Sequence, residues 1–329
     1  MGKIAFVFPG QGAQGAGMGR DLYDNCFEAR KILDHFETLR PGTLEMCFSG
    51  GKTSDAGNLL DRTDNAQPCL YAVEFAAAAE FKSRCELRCD INALSSSCDI
   101  SEISSRGDMT AGFSLGELTA AAFAGLIEPD DGFRLVCERG RLMRAAAENA
   151  ETGMAAIVKL PSEEVERLCA KYEHCYPVNY NSPGQITVAG LKSELDTFYA
   201  DVKSAGGRAI PLKVQGAFHS PFMAKAADAF SETLGGYTFR KPVITLYSDC
   251  TGLPYSGDPA GLLTAQITNP VRWQNIIEHM SQSGADTFIE FGPGSTLCGL
   301  IKRILPDARI FAADDTAGLE AAIAAINGD

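Results

Sequence analysis

Ser114 lies in the run Ala111-Gly112-Phe113-Ser114-Leu115-Gly116-Glu117. Gly112, Ser114 and Gly116 have the G-x-S-x-G spacing of a nucleophile elbow, a sharp strand-to-helix turn that lifts a serine hydroxyl clear of a sheet to attack a carbonyl. Glycines flank the serine because side chains there would strike the facing strand and helix. The neighbours fit: Asp108 to Ala111 can form a short strand, and Leu118 to Ala124 is strong helix. The Leu115 N–H would then stand at a helix N-terminus, where it can stabilise an oxyanion. A plain Gly-Ser turn entering a helix is the alternative, and the elbow by itself does not decide.

Two other residues have chemistry in reserve. Arg139 falls in a helical stretch opened by Pro129-Asp130-Asp131, on the same stripe as Leu135, Val136, Leu142, Met143 and Ala146. A guanidinium on an inward face needs an anion, so it is either a snorkelling or ion-paired structural arginine or a carboxylate-binding one. The chain has four histidines. His35 and His279 fall in polar helices and His174 in a charged turn. His219 follows an apparent buried strand and a Gly216-Ala217 hinge, where a general base could be presented.

The elements that must position these residues read as α/β. Lys3 to Phe8 is a continuous apolar run, as expected of a strand buried on both faces. It ends in the glycine-rich loop Pro9 to Gly15, which holds Gln11. Gly10, Gly12 and Gly15 have dinucleotide-loop spacing, but Pro9 and the missing acidic residue about 20 positions on argue against it. A loop bringing backbone amides to a reacting oxygen is the competing use. Helices are predicted near 20–36, 67–81 and 129–147, and a further strand over 286–291. Residues 83–107 read as a surface excursion. From Gly153 the rhythm changes to strand 154–160, helix 162–172, strands 177–180 and 186–189, helix 192–205 and strand 208–214. That βαββαβ order is the ferredoxin-like split motif. Residues 1–148 with 214–329 would form the large domain and 149–213 the small one. Strands ending near Gly10, Gly112, Gly216 and Gly292 would point at one crevice.

Composition narrows the class. A net charge of −13 argues against general nucleic-acid binding. No apolar run is long enough to span a membrane, and the start of the chain lacks signal-peptide character, so the cytoplasm is expected. The cysteines, 11 in all, are scattered without a C-x-x-C pair, which fits reduced thiols. Cys85, Cys89 and Cys98 cluster without a nearby histidine, and no metal or other cofactor is expected.

Several motifs then add up in order: Phe8-Pro9-Gly10-Gln11-Gly12, the Ser114 elbow, Glu138-Arg139-Gly140, Gly216-Ala217-Phe218-His219-Ser220-Pro221 and Phe291-Gly292-Pro293-Gly294. Together they resemble the acyltransferase family that includes malonyl-CoA:acyl carrier protein transacylases and the acyltransferase domains of polyketide synthases. Asn179 to Gln185 and Asn269 to Trp273 are also similar, so the resemblance runs from about Lys3 to Ile304, apart from the 83–107 stretch. It implies a large α/β-hydrolase-like domain with a short parallel sheet and an inserted ferredoxin-like small domain. It also implies malonyl transfer from malonyl-CoA to the phosphopantetheine thiol of an acyl carrier protein in fatty-acid biosynthesis, through a malonyl-serine at Ser114. By the same resemblance His219 is the base and the amides of Gln11 and Leu115 form the oxyanion hole. Arg139 holds the malonyl carboxylate, the Gln266 carbonyl orients His219, and Phe218 crowds out branched acyl groups.

A monomer is expected, with malonyl-CoA and the carrier protein as partners and with neither membrane nor nucleic acid. An acidic carrier would dock on a local basic rim, for which Lys213, Arg272, Lys302 and Arg303 are the candidates. The alternative is a discrete acyltransferase serving a polyketide pathway or another acyl-CoA. One departure is plain: the family usually has histidine immediately before the nucleophile, where this chain has Phe113.

Overall fold

A computed structural model of the chain describes residues 2–51, 59–89, 108–148, 150–214 and 216–327. The first apolar run forms β1 (Lys3–Phe8). Ile4, Phe6 and Phe8 pack into one core cluster with Leu70, Phe81 and Phe291. Ala5 and Val7 face the other way, against Trp273, Ile276 and Ile301. Both faces of the strand are therefore covered by helices, which is why its sequence lacks a polar alternation.

The remaining strands are β2 (Met109–Gly112), β3 (Thr152–Val158), β4 (Cys175–Ser182), β5 (Gln185–Leu191), β6 (Arg208–Pro211), β7 (Thr245–Leu246), β8 (Ala285–Phe291) and β9 (Arg309–Ala313). Among the described residues they make two sheets, ordered β7-β2-β1-β8-β9 and β4-β5-β3-β6. Every pairing in the first is parallel. Every pairing in the second is antiparallel, and its order is that of a ferredoxin-like sheet. Phe8 lies opposite Gly112, and Val7 opposite Glu290. The loops after β1, β2 and β8 therefore leave from one edge of the parallel sheet, where ligands bind in open α/β folds.

Three expectations need correction. Residues 208–214 do not form a buried strand leading to His219. β6 ends at Pro211 and is largely exposed, because it is an edge strand of the small sheet paired only with β3. Gly216 accordingly extends no strand of the parallel sheet, and three of the four foreseen strand ends meet there. The helix predicted over 67–81 runs from Thr63 to Cys89, past the end of its apolar stripe and into the stretch read as an excursion. The rest of that stretch, 90–107 with Cys98, lies outside the described residues, as does Gln215.

Candidate active site

The elbow is built by close approach. A Cβ added at Gly112 would stand 1.8 Å from the Gly116 carbonyl carbon, and one at Gly116 would stand 2.2 Å from the Phe8 oxygen. Only hydrogen atoms fit between β2, the end of β1 and the helix Gly116–Phe123. The Phe113 N–H donates to the Phe8 oxygen at 2.9 Å, tying the turn to β1. Ser114 is left in the left-handed region at φ 55°. His219 is the second non-glycine residue of the site held there, at φ 59°. Backbone strain of this kind persists where the surroundings over-determine it, and it gathers at functional positions.

Ser114 Oγ lies 2.7 Å from His219 Nε2. His219 Nδ1 lies 2.8 Å from the backbone oxygen of Gln266, which is buried in the helix Pro259–Thr268. A carbonyl can only accept, so Nδ1 carries the proton and Nε2 turns its lone pair to the serine. Burial, aided by the Arg139 charge, pushes His219 down to about 4, which keeps the imidazole neutral at pH 7.

Arg139 lies on the helix Pro129–Ala147 and is 1% exposed. Its Nη1 donates to Gln67 Oε1 at 2.8 Å, and Nη2 donates to Gln266 Oε1 at 2.7 Å and to Ser114 Oγ at 3.3 Å. Nε has no partner. Among the described residues no carboxylate forms an ion pair with it. Burial lowers it to about 10, against the pull of Asp249 and Glu117, so it stays cationic at pH 7. A buried guanidinium held by two neutral amide oxygens leaves a place for an anion.

These groups line a cavity of about 80 Å³ with Gln11, Gln67, Phe113, Leu115, Met143, Met154, Asn179, Leu212, Val214 and Phe218. Met154, Leu212 and Val214 also line a larger cleft of about 740 Å³ bounded by Arg62, Arg144, Lys192 and Lys213. The backbone N–H groups of Gln11 and Leu115 donate to no atom among the described residues.

The structure thus brings Ser114, His219, Arg139, Gln11, Leu115, Gln266 and Phe218 together. The other histidines are committed elsewhere: His35 to Asp130, His174 to Glu194 and His279 to the Gly252 oxygen. Gln67, Asn179, Glu117 and Asp249 at this site were not foreseen. Gln67 carried a signal, since it shares the helical stripe of Leu70, Ala77 and Phe81 as a polar residue among apolar ones. Asn179 opens a stretch similar to the family, while Asp249 carries no signal, because nothing local to it shows what the fold brings near. Glu117 and Asp249 are fully buried; burial pushes Glu117 up to about 7, and burial with the neighbouring Glu117 raises Asp249 well above the carboxylate range.

A serine in a nucleophile elbow, with a histidine on its hydroxyl and a small inserted antiparallel sheet beside it, has the layout of an acyl-transfer enzyme. The family pattern for the acyl transferase domain matches residues 5–319, and the chain belongs to that family. A malonyl CoA-acyl carrier protein transacylase of Synechocystis sp. is 33% identical over 310 residues, covering 94% of this chain and 96% of that protein. The crystal structure of the malonyl CoA-acyl carrier protein transacylase of Clostridium perfringens is similar, with a TM-score of 0.86 and 31% identity over 99% of this chain and 98% of that one. A malonyl-transacylase solved in complex with a type II polyketide synthase acyl-carrier protein is similar too. Its TM-score is 0.85, with 30% identity over 98% of this chain and 99% of that one.

Proposed function

We propose that this chain moves a malonyl group from malonyl-CoA to the phosphopantetheine thiol of an acyl carrier protein in fatty-acid biosynthesis. Ser114 Oγ attacks the thioester carbonyl while its proton passes to His219 Nε2. The amides of Gln11 and Leu115 receive the negative oxygen of the tetrahedral intermediate, and His219 gives the proton to the departing CoA sulfur. The carrier thiol then loses its proton to His219 and attacks the malonyl ester. The proton returns to Ser114 Oγ as the ester breaks, and the product is malonyl carrier protein. Phe218 narrows the acyl cavity against branched groups.

One observation carries the choice of acyl group. Among the described residues Arg139, buried 3.3 Å from the nucleophile, has no carboxylate partner, and the free carboxylate of a malonyl group supplies one. A neutral acyl chain would leave that cation unpaired. The test is mass analysis of the protein after brief exposure to malonyl-CoA, then after addition of holo carrier protein. The wild type should gain one malonyl group and pass it on, and Ser114→Ala should gain none. A stoichiometric adduct on Ser114→Ala would contradict the nucleophile.

A second reading is transfer within a polyketide pathway, favoured by the likeness to the malonyl-transacylase solved with a polyketide carrier. Competition between fatty-acid and polyketide carriers for the malonyl enzyme separates the two. We further propose that the protein acts as a monomer, since one chain supplies every group named, and that it works in the cytoplasm, which suits its free cysteines. Among the described residues no helix is long and apolar enough to cross a membrane.

A further inference from the structure

Behind the nucleophile lie two carboxyl groups that the steps above do not use. Asp249 sits beyond β7, in a segment fixed by the Tyr247 N–H donating to the Thr110 oxygen and the Arg272 N–H donating to the Asp249 oxygen, each at 2.9 Å. Its Oδ2 accepts the Ser114 N–H at 2.5 Å. The carbonyl of the same serine accepts from Gln266 Nε2 at 2.5 Å. That Nε2 also donates to Glu117 Oε2 at 2.7 Å, and Glu117 Oε1 accepts from the Tyr255 hydroxyl at 2.6 Å. The left-handed backbone of Ser114 is thus gripped at both its N–H and its C=O by buried side chains, each anchored in turn.

We propose that Asp249 is a positioning residue for the nucleophile: by holding the Ser114 N–H it fixes the left-handed elbow that aims Oγ at His219 and Arg139. The inference rests on the reading of Ser114 as nucleophile. Two consequences follow from the geometry. The Ser114 amide is committed to Asp249, so it is withdrawn from oxyanion binding, which falls to Leu115 and Gln11. The hold also requires an acceptor oxygen and not a charge. Among the described residues Asp249 Oδ1 has no hydrogen-bond partner, so replacing it with an amide nitrogen breaks no bond among them. Burial also favours the neutral carboxyl, which accepts through its carbonyl oxygen as an amide would.

The experiment compares Asp249→Ala and Asp249→Asn with the wild type by pre-steady-state acylation with malonyl-CoA. Thermal unfolding establishes that each variant is folded. Asp249→Ala should acylate about 10- to 100-fold more slowly at saturating malonyl-CoA, the scale of loss when a nucleophile is displaced by about 1 Å, with KM changed less than about threefold. Asp249→Asn should recover to within about fivefold of wild type. Should the alanine variant not fold, Asp249→Ser takes its place, since its hydroxyl is too short to reach the amide. Acylation of the folded alanine or serine variant within about twofold of wild type would overturn the proposal, as would an asparagine variant no faster than alanine. A small sulfonyl fluoride reacts with an activated serine whatever its acyl preference. If malonyl-CoA fails to acylate the wild type, the malonyl reading fails alone, and the sulfonylation rates of the same variants still decide the role of Asp249. Equal rates there would end it.

Discussion

At the scale of single residues, the site combines an imidazole that is hard to protonate with a buried guanidinium that keeps its charge at pH 7. In the proposed mechanism His219 can accept a proton only while neutral. In the folded protein it resists protonation until about pH 4, against 6.5 for an ordinary histidine. The acid limb of kcat/KM should therefore lie well below pH 6.5, with activity retained at pH 6; a limb centred on 6.5 would contradict the burial of the imidazole. The stability sign follows from the same shift. The unfolded chain takes up a proton below 6.5 that the folded one refuses until about 4, so this group's contribution is present above 6.5 and is lost as pH falls through that window. His219→Ala should cost a factor of about 10²–10⁴ in transfer, the usual worth of a general base. Transfer near the wild-type rate would require another base. Phe113 stands where the resemblance leads to an expectation of histidine. It packs against Trp273, with ring centroids 5.6 Å apart, and lines the acyl cavity. Phe113→His should change transfer by a modest factor and leave the malonyl preference intact. A switch of preferred acyl group would show that position 113 shapes the pocket.

At the scale of elements, the elbow depends on the absence of side chains at two positions. Gly112→Ala places a methyl inside the backbone of Gly116, and Gly116→Ala places one against the end of β1. Each should cost more than about 3 kcal/mol, beyond ordinary overpacking, because backbone and not a flexible side chain must yield. Urea unfolding measures it, and a midpoint near wild type would mean that the backbone of the elbow yields to a methyl group at little cost. The same elements show what the chain makes legible. β1 was readable because burial on both faces removes every polar residue between Ile4 and Phe8. The βαββαβ insert was readable because its periods alternate within short spans. β7 has two residues, too few for any period, and its place in the sheet depends on pairing with β2. The tract before His219 misled because Ile210, Leu212 and Val214 suggest a buried strand, while edge position leaves β6 largely exposed. Ser114, His219 and Arg139 could be picked out by type and local context. Gln67 and Asp249 acquire their roles only through partners 72 and 135 positions away.

At the scale of the molecule, the net charge of −13 would repel an acidic carrier, so under the proposed function docking has to be local. Lys213 borders the larger cleft. Arg272 lies over the Tyr180 ring and Arg303 donates to Gln185, which places both beside the β4–β5 hairpin. Transfer to the carrier should weaken as salt is raised, and reversing Arg303 together with Lys302 should raise the KM for carrier while leaving acylation by malonyl-CoA unchanged. Unchanged carrier kinetics would place docking elsewhere. Among the described residues Arg139 is the buried guanidinium beside the nucleophile, and the proposed function has it select an acyl group bearing its own anion. The most direct measurement of that selection is the ratio of malonyl-CoA to acetyl-CoA specificity constants in the wild type and in Arg139→Ala. Loss of a desolvated charge-assisted contact is worth about 2–5 kcal/mol, so the folded variant should lose a factor of about 30 or more from the ratio. Acetyl transfer should hold or gain relative to malonyl. A ratio unchanged in the folded variant would make Arg139 a structural residue and contradict its part in choosing the acyl group.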